Sequence, residues 1–415
     1  MKQVEVVIGQ GYDKNHKKVI NMVYEDIVQE MEDSKLNELI SAGLSHDDIA
    51  KSIQECFKEF FENDANLKRY SNDFLVSDYI NYYKNYYEGI NDNIKGVVSL
   101  LRAAKEIDEN TTYEYMAILQ NELVEVSNKE WSFTILQKDF KELGTYEFVI
   151  EAFNLIENIC ENALKVYLRF LLVFFRITKS KNNISMQIIN EIKFGNIVNE
   201  LSQCVFLKDL FNINGYEIPL SQWRNIACHK DYKIISDKIE CQYGDKHSKN
   251  VIINSKEDLL GITKNIYKIL QFINFAAKFF LYDNIEKVQP FYSLIKENTD
   301  SRPENWHLPF VTELYTNGFK VISIDQDNVT VKVKVKSIVS DDIKKIAVQS
   351  TIVLYKVWSY TLCTKLQVSY LDEKSNVLLS VETSDDVCKL IAQGEKDIYY
   401  LADKMKILYC DNSIK

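Results

Sequence analysis

Residues Pro219–Ile234 read PLSQWRNIACHKDYKI and set Arg224, Asn225 and His229 close together. Histidine titrates near neutrality and serves as general base or general acid. Arginine keeps its charge and meets phosphate with a planar fork of donors, which suits a developing pentacovalent phosphate. Asparagine can orient the histidine or a substrate hydroxyl. The trio is sufficient for RNA cleavage without a metal, because the nucleophile, the ribose 2′-OH, already belongs to the substrate. The product would carry a 2′,3′-cyclic phosphate. On a helix Asn225 and His229 share a face at a spacing of four, whereas Arg224 and His229 lie about 140° apart around the axis. One copy of the segment does not aim both at a single atom. Two copies meeting across a two-fold axis would bring two Arg/His pairs into one cleft. Read bare, an Arg-Asn-x-x-x-His string also arises by chance on an ordinary helix surface.

Other chemistries lack their residues. The five histidines (His16, His46, His229, His247, His307) show neither HExxH nor zinc-finger spacing. Neighbouring Cys228 and His229 point about 100° apart on a helix and make a poor metal pair. No metal and no cofactor is expected. GxxxxGK[ST], GxGxxG and GxSxG are all absent, which argues against P-loop, Rossmann and common esterase sites.

The elements that must position the trio are mostly helices. Up to residue 145 the chain reads as helix after helix, with a capping box at Ser45/Asp48 and helices over Val76–Ile107 and Thr112–Val126. Tyr79, Tyr82, Tyr83, Tyr86 and Tyr87 form a strip that either stacks bases or packs on a neighbouring helix. A long helix runs from Tyr146 to Arg176, with Phe148, Ala152, Leu155, Ile159, Ala163, Val166 and Phe170 near the 3.6 period. Shorter helices cover Ile184–Ile192 and Phe194–Cys204. A hairpin follows the Arg224 segment, and Ser255 caps a helix over Lys256–Asp283. Beyond a polar stretch, Phe319–Ile324 with Val329–Val335, and Leu366–Leu371 with Val377–Val381, alternate with period two. Helical stretches fit Asp341–Tyr360 and Asp397–Tyr409. The expected fold is mainly α: a helical N-terminal region (1–145), a helical bundle with an inserted hairpin (146–285), a linker (286–304) and a C-terminal α+β domain (305–415).

Composition narrows the classes. Of 415 residues, 46% are hydrophobic and 27% charged, a soluble globular mixture and not a disordered or fibrous one. The four prolines all lie beyond residue 218, so nothing interrupts long helices before that point. The net charge of −10 argues against indiscriminate coating of DNA. Val166–Ile177 and Ile269–Tyr282 are the most apolar runs, but both contain charges and fall short of the roughly 20 residues that span a bilayer. No membrane is expected. Eight scattered cysteines without a CxxC pair, and a start (MKQVEVVIGQG) without an apolar signal core, fit reduced thiols in a cytoplasmic location.

The segment WRNIACHKDYKI resembles the signature of HEPN-domain ribonucleases, and FGNIVNEL (Phe194–Leu201) resembles the helix that precedes this motif in bacterial members. The resemblance covers residues 146–285. It implies that Arg224 and His229 are catalytic with Asn225 as polar companion, and that the bundle forms a homodimer with a composite site. It also implies a toxin or antiphage-defence nuclease that cuts tRNA, mRNA or rRNA and answers to an antitoxin or a phage-derived trigger. A tyrosine two positions after the histidine marks one subgroup of the family. Here Asp231 stands there, and Tyr232 comes one later. Some members carry a polar residue on the long helix facing the site, for which Glu157, Asn158, Glu161 and Asn162 are candidates; Asn196 is another, a polar residue amid an apolar segment. Glu161 with Lys165 fits an ordinary surface pair equally well. Between Lys165 and Lys193 stand six basic residues and a single acid, Glu191. This stretch, with Lys179 and Lys181, joins Lys230 and Lys233 as a candidate phosphate track, or is a solvated connection between helices. The alternative overall is a catalytically silent HEPN scaffold for dimerisation or nucleotide or RNA binding. An accidental motif on a helical adaptor is a further one.

Overall fold

In the computed structural model the cap expected at Ser45 closes reciprocally. The Asp48 amide donates to Ser45 Oγ, and the Ser45 amide to the Asp48 carboxylate, each at 3.3 Å. The structure describes residue 29 and residues 32–409 except 72–74, 87–88, 137–142, 181–183, 209, 212, 214–215, 236–237, 245–247, 293–303, 328, 339–342 and 373. Helix α1 (Lys35–Ser41) precedes α2 (His46–Phe57), and α3 (Asp64–Tyr70) and α4 (Leu75–Lys84) follow. The helix expected over Val76–Ile107 is two: Gly89, at φ +91, separates α4 from α5 (Ile90–Ile107). That left-handed backbone is one that glycine adopts at little cost. Next comes α6 (Glu109–Leu136), longer than expected. The long apolar pattern forms α7 (Thr145–Asn158), a π turn (Ile159–Leu164) and α8 (Lys165–Thr178). Shorter α9 (Met186–Asn190), α10 (Phe194–Leu201) and α11 (Leu220–His229) lead into an antiparallel sheet of β1 (Tyr232–Ile235), β2 (Lys238–Tyr243) and β3 (Lys249–Ile253).

Helix α12 (Lys256–Asp283) begins where Ser255 Oγ accepts from the Asp258 amide at 3.1 Å. The expected linker starts as helix α13 (Ile285–Tyr292), and the rest of it up to 303 lies outside the described residues. The C-terminal part comprises α14 (Glu304–Thr316), β4 (Phe319–Gln326), β5 (Thr330–Ser337), α15 (Ile343–Thr361), β6 (Lys365–Leu371), β7 (Val377–Ser384), α16 (Asp385–Ala392), α17 (Tyr399–Lys404) and β8 (Lys406–Tyr409). The sheet order is β4-β5-β6-β7-β8, antiparallel except for the parallel β5–β6 pair joined through α15. The molecule is therefore mainly α with a C-terminal α+β part. Asp397–Tyr409, expected to be helical throughout, ends as the edge strand β8.

The chain forms two compact units that cut across the linear division. One gathers the described residues of Met1–Cys56, Lys68–Lys84 and Arg302–Lys415. The other holds Phe57–Leu67 and the described residues of Asn85–Ser301, so residue 145 is no boundary between units. The reason is side-chain anchoring of the 57–67 segment. The Asp283 carboxylate accepts from the Glu62 and Asn63 amides at 3.0 and 2.7 Å. Arg102 donates to the Phe60 carbonyl at 2.9 Å, and Phe60 stacks on Phe279 with ring centroids 5.2 Å apart.

In this second unit α12 packs against α5 and α7, and α5 against α8. Gly96 on α5 lies against the backbone of Phe206, whose carbonyl oxygen a Cβ would strike. Gly96→Ala is expected to cost about 1–3 kcal/mol through forced displacement, seen as a lower urea midpoint with an unchanged slope. Among the described residues no helix is long and apolar enough to cross a membrane; α8 is buried core. Of the tyrosine strip, Tyr79 and Tyr82 are buried and packed against Tyr83, whereas Tyr83 and Tyr86 are exposed. Tyr87 lies outside the described residues.

Candidate active site

The Pro219 carbonyl accepts from the Gln222 and Trp223 amides and opens α11. Its inward face is apolar, with Leu220, Trp223, Ile226 and Ala227 buried. Lys230 ends the helix at φ +57. This face packs on α7, and α10 lies against both α8 and α11. What remains outward is the polar edge that carries the motif.

Arg224 is the centre of that edge. Its Nε donates to Glu161 Oε1 at 2.5 Å, its Nη2 lies as close to the same oxygen, and its Nη1 donates to Asn225 Oδ1 at 3.2 Å. Two of its five N–H donors, on Nε and Nη1, are thereby hydrogen-bonded, and donors remain on both Nη atoms. The other Glu161 oxygen accepts from Lys165 at 2.8 Å. About a quarter of each side chain in the Arg224–Glu161 pair reaches solvent. Glu161 sits within the π turn, a local widening of the helix that recurs at functional sites. His229, the last residue of α11, is exposed, and its imidazole has no hydrogen-bond partner among the described residues. It lies roughly 7.5 Å along the axis from Arg224 by helical rise.

One turn along α7, Lys230 Nζ donates to Asn154 Oδ1 at 2.7 Å and to Glu157 Oε2 at 3.1 Å. Two carboxylates of the long helix, Glu157 and Glu161, thus clamp α11 through Lys230 and Arg224. Asn162 donates to Asn158 at 3.1 Å beside them. Burial pushes the thiols of Cys160 and Cys228 up, and each adjoins a member of the cluster in sequence. Cys160, Cys204, Cys228, Cys241, Cys363 and Cys388 are free thiols.

Burial alone would push the Glu161 carboxyl up, but the hydrogen bonds and charges of Lys165 and Arg224 outweigh it and hold the group below the ordinary glutamate range. A depressed folded-state pKa contributes stability above the unfolded value, and the contribution vanishes as pH falls through the folded value. Glu161→Gln should therefore melt below wild type at neutral pH. The difference should close as the pH drops below the ordinary carboxylate range, as read from thermal unfolding over a pH series.

The remaining expected residues are dispersed. Tyr232 is half-buried, its ring stacked on Phe153 at 4.4 Å, so it serves packing between β1 and α7. Asn196 is exposed on α10 with no side-chain hydrogen bond among the described residues. Lys233 is exposed on β1. Lys179 caps α8 over the Phe175 ring, 5.5 Å from its centroid, which is roughly 25 Å along the helix axis from Glu161. Lys181 lies outside the described residues.

The stretch expected as a phosphate track is mostly committed elsewhere. Lys165 binds Glu161, Arg169 donates to the Asn190 carbonyl, and Arg176 forms a two-pronged pair with Glu200. Sequence reading did not single out Asn154. A lone asparagine on a helix carries no signal until its partner is known. Among the described residues no group of three or more His, Cys, Asp or Glu could hold a metal.

No family model matches the chain, no curated protein is significantly similar to it, and no solved structure matches it significantly.

Proposed function

We propose that the protein is a metal-independent endoribonuclease of the HEPN type, with Arg224, Asn225 and His229 as its catalytic group. The observation that carries this reading is the pairing of Arg224 with Glu161 at 2.5 Å on a solvent-reaching edge beside an exposed histidine. The pair orients the guanidinium yet leaves donors on both Nη atoms for a phosphate. His229 takes the proton of the ribose 2′-OH. The oxygen attacks phosphorus, the P–O5′ bond breaks, and the products are a 2′,3′-cyclic phosphate and a 5′-OH. Arg224 stabilises the charge gathering on the non-bridging oxygens. Because Arg224 and His229 diverge around α11, a second copy completes the site, its histidine returning a proton to the leaving oxygen. A homodimer acting on tRNA, mRNA or rRNA in toxin or antiphage defence, under an antitoxin or a phage-derived trigger, follows from the same reading.

A second reading, a silent scaffold that binds without cutting, draws on a different observation: Arg224 and Lys230 are already matched by Glu161 and Glu157. Purified protein incubated with total RNA in EDTA separates the two. Fragments ending in cyclic phosphate, absent with Arg224→Ala and His229→Ala, support the nuclease. Cleavage that persists in both variants rejects this site, cleavage abolished by EDTA points to a metal nuclease, and RNA binding without cleavage by any form supports the scaffold.

A further inference from the structure

Strand β5 reads Thr-Val-Lys-Val-Lys-Val-Lys-Ser over Thr330–Ser337. Val331, Val333 and Val335 are buried, and α15, with Val353, Leu354, Val357 and Trp358 buried, packs on β5, β6 and β7. Lys332, Lys334 and Lys336 therefore share the opposite face, spaced roughly 7 Å apart along the strand. Register extends that face across the sheet. Lys320 lies opposite Lys336, and Lys365 opposite Thr330. Lys332, Gln367, Glu382 and Lys406 form one continuous row. Six lysines thus share the face with only two acids in register, Asp325 and Glu382, in a chain whose net charge is −10.

Lys320 is paired with Glu32. Lys332, Lys334, Lys336, Lys365 and Lys406 form no ion pair with any described residue. Like charges on neighbouring positions of one face repel and weaken a sheet, and six lysines met in register by Asp325 and Glu382 alone leave the face with an excess of positive charge that an anion would offset. Between the lysines the face presents small polar groups, Ser369 and Ser380 hydrogen-bonded at 2.8 Å and Gln367 donating to Glu382 at 3.0 Å. No aromatic ring stands in these rows. Recognition here would run through phosphates and not through stacked bases.

We propose that this lysine-bearing sheet face binds the sugar-phosphate backbone of single-stranded RNA, without sequence preference. The inference concerns binding by the C-terminal sheet and does not depend on whether the Arg224 group cuts.

The test uses full-length protein carrying His229→Ala, so that RNA is not consumed, and a labelled mixed-sequence single-stranded RNA followed by anisotropy over a potassium chloride series. Lys332→Thr, Lys334→Thr and Lys336→Thr are combined, since threonine suits an exposed strand position. The triple variant should lose at least tenfold in affinity at low salt. Its log–log salt slope should flatten by about 2, three phosphate contacts at about 0.7 each. Circular dichroism checks the fold. If the triple variant is misfolded, Lys365→Thr with Lys406→Thr on the same face should flatten the slope by about 1.4. Unchanged affinity and slope in a folded variant, or no binding by the parent protein at low salt, would overturn the proposal. Preference for polyglutamate over RNA would replace the RNA by an acidic protein and overturn it equally.

Discussion

His229→Ala is expected to lower RNA cleavage by about 10²–10⁴-fold, the usual share of a general acid or base. His229 is exposed, ends its helix and makes no side-chain hydrogen bond among the described residues, so truncating it to alanine should leave the thermal midpoint unmoved. That separation is the sharp part of the expectation: activity falls while stability does not. Arg224→Ala should lose about 10²–10³-fold, as when a preorganised group facing transition-state charge is deleted. It should also cost some stability, because Glu161 would keep only Lys165 as a partner. Arg224→Lys should restore charge without restoring rate, since an ammonium cannot hold Glu161 and fork a phosphate at once. Cleavage rates on a defined RNA in EDTA, beside thermal melts of the same preparations, check all three. A His229→Ala protein that still cuts at the wild-type rate would remove the histidine from the mechanism.

The second large effect is on the scaffold. Arg176 is a charged side chain with only 7% of its surface exposed, in the last turn of a hydrophobic helix. Its Nε and Nη2 donate to the two oxygens of Glu200 at 3.0 and 2.8 Å, joining α8 to α10. Arg176→Ala removes both of these hydrogen bonds to the Glu200 carboxylate at that interface and is expected to cost about 1.5–3 kcal/mol, the worth of hydrogen bonds to a charged group. Replacing both partners, Arg176→Met with Glu200→Leu, should recover most of the loss, because paired burial is nearly balanced by desolvation. Urea unfolding of the wild type, each single variant and the pair forms the cycle that checks it. Since α10 packs on α11, the single variant should also lower cleavage indirectly, in proportion to unfolding.

These two sites mark how differently the chain exposes its information. The hairpins at Phe319–Val335 and Leu366–Val381 are legible because one sheet face is buried, and a strand with one buried face must alternate. Helix α12 is legible at both ends: Ser255 caps its start, and unbroken apolar spacing carries it to Asp283. By contrast β8 is four residues whose strand state exists only because Glu382–Leu379 of β7 lies beside it. The π turn leaves the apolar spacing of Tyr146–Arg176 looking like an ordinary helix, since one wide turn barely shifts a stripe of large side chains. Arg176 itself reads in sequence as one cation of a basic stretch and is, in the fold, the buried half of an ion pair with Glu200.

From sequence alone came the mainly helical class, the C-terminal α+β part, and the placing of Arg224, Asn225 and His229 on one short helix. All of these are written in spacings of a few residues and in caps closed by neighbouring atoms. Tertiary structure alone decided that Glu161 meets Arg224 from 63 positions away, that Glu157 and Asn154 take Lys230, and that Phe57–Leu67 belongs with the bundle. The physical reason is one of range. Backbone periodicity is set by hydrogen bonds within a turn or a pair of strands. Which polar side chains meet is set by how apolar faces distant in sequence are buried against one another, and the polar contacts take the places that burial leaves them.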